Sequence, residues 1–172
     1  MNDRSIGPVL TFGVLAGLAA GALMAMYAMA ASAWMGQGFF TPLYGIASPL
    51  IGPKEMETSM MRGIHLSPGP ALLGAMIHMM WSAMYGAGFG LLWSRIGGAG
   101  PVAAGAGVLY GLAVMVVMAF AVLPLVGAGS MPGMIGFSFV IEHALFGLAL
   151  GLWPSAQPGL FVRARALWPT QA

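Results

Sequence analysis

The stretch Pro101–Val126 reads PVAAGAGVLYGLAVMVVMAFAVLPLV and contains no charged side chain. A helix needs roughly 20 apolar residues to cross the hydrocarbon of a bilayer, because it rises about 1.5 Å per residue. This segment satisfies that length without interruption until Pro124, which falls in its last turn and is expected to end or kink it. Three further stretches read the same way: Pro8–Trp34, Pro70–Trp93 and Pro132–Trp153. Proline at the first turn of a helix loses nothing, since that N–H has no intrahelical partner. Trp34, Trp93 and Trp153 close three of the stretches, as interfacial aromatic anchors do.

The whole chain agrees with this reading. Its 172 residues carry 6 Lys and Arg and 4 Asp and Glu, ten charges in all and 6% of the sequence, while 59% is apolar. Soluble domains average about a quarter charged, so this composition excludes a water-exposed globule. High hydropathy with a net charge of only +2 excludes disorder as well. No basic run is present to grip nucleic acid. The absence of Cys excludes disulfides, thiolate metal sites and iron–sulfur clusters. A phosphate-binding loop ending in Lys-Ser/Thr, an HExxH pair and a GxSxG elbow are all missing. The expectation is a non-enzymatic protein.

The fold expected is therefore all-α and integral to the membrane: a four-transmembrane-helix bundle in one domain spanning residues 1–172. An internal repeat gives it organisation. Ser82-Ala-Met-Tyr-Gly-Ala-Gly-Phe-Gly-Leu91 matches His143-Ala-Leu-Phe-Gly-Leu-Ala-Leu-Gly-Leu152, and Val14-Leu-Ala-Gly-Leu-Ala19 matches Val108-Leu-Tyr-Gly-Leu-Ala113. Two tandem helix hairpins follow, related as a parallel pseudo-repeat about the membrane normal. The first hairpin carries a long loop, residues 35–69, in which Pro42, Pro49, Pro53 and Pro68 forbid a long helix. Its apolar residues Phe39, Phe40, Tyr44, Leu50 and Ile51 suit a segment at the lipid surface or over the bundle, and a short helix is expected from Lys54. Residues 155–172 form a short basic tail.

Arg4, Arg95, Arg163 and Arg165 fall on one side of this topology, against Lys54 and Arg62 on the other. The positive-inside rule then places both termini in the cytoplasm, in a cell inner membrane crossed several times. Ala31-Ser32-Ala33 resembles a signal-peptide cleavage site, but the apolar core before it is longer than such signals carry.

Small residues four apart occur in every span: Gly13/Gly17/Gly21, Gly86/Gly90, Gly107/Gly111 and Gly147/Gly151. They let backbones approach closely, either within the chain or in self-association. All four sets sit in the half of the span nearest the termini, so the bundle should be tight there and wider at the loop side.

The chemistry-bearing residues collect in that wider half. His78 and His143 are expected level with each other on facing helices, where two imidazoles could ligate a haem b axially or bind a metal. Glu142 is the only carboxylate in a span and should face the interior, nearer to His78 or another polar group of the wider half than to lipid. Ser82 lies one turn beyond His78. The chain has 16 Met; thioethers and imidazoles without thiols suit copper as Cu(I). Met76, Met80 and Met84 form one stripe that would line the route or add soft ligands, with His65 and Met60 guarding the opening. Equally, Met is a flexible apolar filler, and the histidines could act as interhelical hydrogen-bonding glue. The functional expectation is an accessory or structural subunit of a membrane assembly, in contact with the lipid bilayer and other membrane-protein subunits. The alternative is a small proton-coupled transporter, acting as a dimer, with Glu142 carrying the proton. A purely structural subunit, whose polar residues only fix packing, is a third reading.

Overall fold

A computed structural model describes residues 6–127, 136–156 and 159. Among them every regular element is helical and no strand occurs: α1 (Gly7–Trp34), α2 (Thr41–Ile51), α3 (Lys54–Arg62), α4 (Pro68–Ile96), α5 (Pro101–Leu125) and α6 (Phe137–Ala156). Three of these, α1, α5 and α6, are long and apolar enough to cross a membrane. α4 is the longest at 29 residues but is not among them; His78, Ser82, Ser94 and Arg95 lower its apolar average. Prolines stand in the first turn of α1, α2, α4 and α5, the position where the ring matches the helix. Gly97 stops α4 with φ of 74°, a left-handed turn that only glycine adopts freely.

The expected start of the last span at Pro132 lies outside the described residues, as do Arg4, Arg163, Arg165 and most of the basic tail. The long loop is more ordered than its prolines imply. Pro42 sits at the start of α2 and Pro49 in its last turn, so an 11-residue helix forms between them. Near Pro124, the chain takes a π turn over Met118–Val122. Proline has no N–H for the carbonyl four residues back, and its ring crowds that carbonyl; a widened turn relieves both.

The helices form a ring in the order α4, α1, α6, α5, with α4 and α5 only lightly in contact. Small residues face inward and large apolar ones outward, the arrangement suited to lipid as solvent. Leu15, Leu23, Met26, Leu109 and Phe120 are exposed, whereas Gly13, Gly17, Ala16 and Ala20 are buried. The glycines create two backbone-close pairs. A Cβ added to Gly17 would stand 2.8 Å from the Gly86 Cα, and one added to Gly111 would stand 2.9 Å from the Gly147 Cα. These faces are thus occupied within the chain.

The end of the ring that carries Gly7, Ile96, Pro101 and Ala156 is filled by Phe89, Trp93, Phe146 and Leu150, with Phe89 and Trp93 stacked at 5.7 Å. The opposite end is capped by α2 and α3. Leu43 and Tyr44 of α2 bury themselves against Ala71 and Ala75 of α4 and Met29 of α1. The α2 backbone rests directly on Gly74 of α4. The Thr41 hydroxyl donates to the Gln37 carbonyl and shares a 2.9 Å hydrogen bond with the buried Ser59 hydroxyl of α3. Tyr44, wholly buried, donates to the His65 carbonyl at 2.8 Å and accepts the Ser67 N–H at 2.7 Å.

Candidate ligand cavity

Under the α2–α3 cap the ring encloses a cavity of about 250 Å³. α1 contributes Met24, Ala25, Ala28 and Ser32; α2 contributes Thr41 to Leu43, Gly45 and Ile46; α4 contributes His78, Trp81, Ser82 and Tyr85. From the other half come Val114, Met118 and Leu123 of α5, and Ser138, Phe139, Glu142, His143 and Phe146 of α6. Most of this wall is apolar, with a few polar groups converging, which is the ordinary constitution of a small-molecule site.

The backbones stand apart here because the glycine contacts have ended, while α1 keeps the small Ala25, Ala28 and Ser32 on the cavity wall. On α1 the glycines end at Gly21, whose absent side chain leaves room for the Ser82 hydroxyl and, beyond it, the His78 ring. His78 Nε2–H donates to the Gly21 carbonyl at 2.9 Å, tying α4 to α1. His143 is 4% exposed, and its Nδ1–H donates to the Phe139 carbonyl one turn back at 2.8 Å. A carbonyl can only accept, so each neutral ring has its N–H fixed: Nε2 in His78, Nδ1 in His143. The second nitrogen of each ring is then a lone-pair acceptor, without a second partner among the described residues. The Ser82 hydroxyl donates to the His78 carbonyl at 2.8 Å, the same backward bond that His143 makes on α6.

The two histidines thus line one cavity, but from α4 and α6, which stand diagonally across the ring rather than side by side. No direct bond joins them among the described residues. Glu142 does face the cavity, although its partner is Ser138, whose hydroxyl donates to the carboxyl at 2.9 Å, and not His78. Ser138 precedes Glu142 by four residues, one helical turn, so this pairing was readable from the spacing.

The methionine stripe is turned the other way. Met76, Met80 and Met84 are 61%, 61% and 51% exposed and none lines the cavity. Four-residue spacing put them on one face, but α4 meets α1 through Gly86, Gly90 and Ser82, so that face is the outer one. The thioethers that do line the cavity are Met24, Met35, Met56, Met60 and Met118. Met118 accepts a hydrogen bond from the Tyr85 hydroxyl at 3.5 Å. Met60 lines the cavity, whereas His65 is not part of its wall. Its Nε2 lies 3.0 Å from Glu55 Oε2 in the outer cap. That contact holds the Glu55 carboxyl below its usual range, against the opposing effect of desolvation.

Among the described residues no three His, Cys, Asp or Glu side chains come together as a metal site. The fixed histidine tautomers do fit ligation, because metal-bound imidazoles commonly donate their other N–H to a carbonyl. Any metal here would draw its further ligands from Glu142 or from the thioethers of the wall. Trp81, Phe139 and Phe146, and the whole α2 wall, were not anticipated as site residues; aromatic residues in apolar helices carry no mark that separates cavity wall from lipid face. Compared with protein-family models, curated proteins and solved structures, the chain matches none.

Proposed function

We propose that this is a non-enzymatic, multi-pass membrane protein that acts as an accessory subunit and holds a small ligand in its capped cavity. The observation that carries the reading is the position of His78, His143 and Glu142 around one mainly apolar space, in the half of the ring away from the glycine contacts. A purely structural subunit would have its polar groups satisfied in pairs, whereas here two imidazole nitrogens stand as acceptors toward a space large enough to fill.

In this reading α4 is a fourth span, because it runs beside α1 along the same stretch and is longer than the other three. The matching glycine contacts of the α1–α4 and α5–α6 pairs support a tandem hairpin origin: Gly17 on Gly86 corresponds to Gly111 on Gly147. The arginine distribution puts the termini in the cytoplasm of an inner membrane, with the cavity opening outward.

The test is to extract the protein with its surrounding lipid and identify what comes with it, by absorbance, metal analysis and mass spectrometry. A stoichiometric small molecule, copper or haem, together with partner subunits, is the expected result. Protein that emerges without any ligand and without partners overturns it.

A second reading, a proton-coupled transporter, is favoured by one observation. Glu142 meets a neutral hydroxyl in the cavity and not a basic residue, so no ion pair locks the carboxyl in its ionised form. Flux in liposomes containing only this protein would distinguish it from an accessory subunit.

A further inference from the structure

We infer that the occupant of the cavity is a membrane-soluble quinol: a flat ring bearing two hydroxyl donors, with its apolar tail leaving between α4 and α5. The inference rests on the cavity being a ligand site and names the ligand's chemistry. Three features select it. First, the histidine tautomers place two ring acceptors, unpaired among the described residues, in the polar wall, beside the Trp81 indole and the Gln37 amide. His143 Nε2 and His78 Nδ1 each offer a lone pair, from opposite sides of the ring. A buried acceptor is satisfied by a donor, so a hydroxyl is preferred there over a carbonyl or an ether. Second, Trp81, Tyr85, Phe139 and Phe146 supply aromatic faces and edges among which a flat ring packs well. Third, the space is ring-sized: about 250 Å³ lies just below the roughly 300–1,000 Å³ usual for drug-sized ligands. A long tail must therefore lie elsewhere.

The gap between α4 and α5 provides that place. These neighbours are the most lightly packed pair in the ring. Side chains join them: Tyr110 donates to the Tyr85 carbonyl at 2.7 Å, and Tyr85 donates to Met118. Trp81 and Tyr85 on one side of the gap, and Met118 and Leu123 on the other, also line the cavity. A molecule dissolved in the bilayer therefore reaches the acceptors without crossing water.

The test uses three probes with the same six-carbon ring and decyl tail, in the hydroquinone, quinone and hydroquinone dimethyl ether forms. Each is titrated under anaerobic conditions into the wild-type protein in lipid nanodiscs, with binding read from tryptophan fluorescence. The hydroquinone is expected to bind about tenfold or more tightly than the other two, the effect of leaving a buried acceptor unpaired. His143→Phe and His78→Phe should each reduce that preference, in protein whose unfolding midpoint shows it is folded. Equal binding of all three probes, or no binding of any, overturns the quinol assignment, and neither result depends on a variant folding. If the extracted protein instead carries stoichiometric copper that the hydroquinone does not compete with, the assignment fails while the ligand-holding role stands.

Discussion

A methyl group placed on Gly17 would stand 2.8 Å from the Cα of Gly86, closer than two such carbons can approach. The α1–α4 crossing therefore requires glycine at that position, with backbone packed on backbone. Gly17→Ala and Gly111→Ala are each expected to destabilise the protein by about 1–3 kcal/mol, the usual effect of overpacking. Gly105, also in a helix, has nothing within 4 Å of its missing Cβ. Gly105→Ala should leave stability unchanged or raise it. Denaturation midpoints of the three variants in one detergent check this, and equal losses at Gly17 and Gly105 would contradict it.

His78→Phe removes the side-chain donor that ties α4 to the Gly21 carbonyl, which lies mid-helix and keeps its place in the hydrogen-bond ladder of α1. Interhelical hydrogen bonds in membranes average about 0.6 kcal/mol and reach about 1.7. A loss within that span is expected, without loss of the helical signal in circular dichroism. A variant as stable as the wild type would mean that the bond contributes nothing to packing.

The outer cap should be sensitive to acid. Glu55 has its carboxyl lowered from 4.5, chiefly by the hydrogen bond with His65. A group with a depressed folded value contributes stability above its unfolded value and loses it as pH falls through the folded one. Cap protection, followed by limited proteolysis or amide exchange over residues 54–67, should therefore decline as pH falls below about 4.5. Glu55→Gln should flatten that decline, because the variant has no charge to lose. An unchanged acid profile in the variant would remove Glu55 from the account.

Tyr44 tests the same cap from its buried side. Tyr44→Phe preserves the ring packing but strips a donor from the His65 carbonyl and an acceptor from the Ser67 N–H. Leaving such groups unpaired costs about 1–3 kcal/mol when they are buried. The expected result is faster proteolysis of residues 54–67 than in the wild type, with the ring of long helices intact. Unchanged protection would show that water satisfies both groups.

Glu142→Gln retains a side-chain oxygen for Ser138 to donate to, so the variant should fold with wild-type stability to within about 0.5 kcal/mol. If the protein is a ligand-holding subunit, the bound molecule is retained. Loss of proton-coupled flux from an otherwise folded variant in liposomes would favour the transporter reading.

The membrane class and helix boundaries were legible because they depend on local quantities: apolar length, absence of charge, and proline at helix starts. α1 begins at Gly7 and ends at Trp34, one residue from the expected Pro8 start and at the expected end. The facing of each helix was less legible. In water, a helix advertises its buried face by its large apolar residues, but in lipid those residues point outward and small ones point in. Met76, Met80 and Met84 illustrate this, since their regular spacing looks like an interior stripe and marks an exterior one. The glycine positions of α4 hold the information that decides between the two. Glu142 lines the cavity beside Ser138, not His78, because a four-residue spacing on one helix is a stronger physical constraint than an assumed contact between helices. The α2 wall was hidden by its prolines, which forbid a long helix but sit harmlessly at the ends of a short one.

The unequal joints of the ring have a mechanical consequence. Within each glycine-packed pair the backbones touch, leaving no flexible side chain to absorb a displacement, so α1 with α4 and α5 with α6 behave as stiff plates. The joint between α1 and α6 is a broad one of Ala16 and Ala20 with Phe146 and Leu150. The opposite joint, α4 with α5, consists of tyrosine side chains with rotatable bonds. Compliance is therefore concentrated along one edge, as in a book whose spine is α1–α6 and whose covers meet at Tyr85 and Tyr110. Molecules of different thickness would be accommodated by the opening angle of the covers, with every glycine contact left in place.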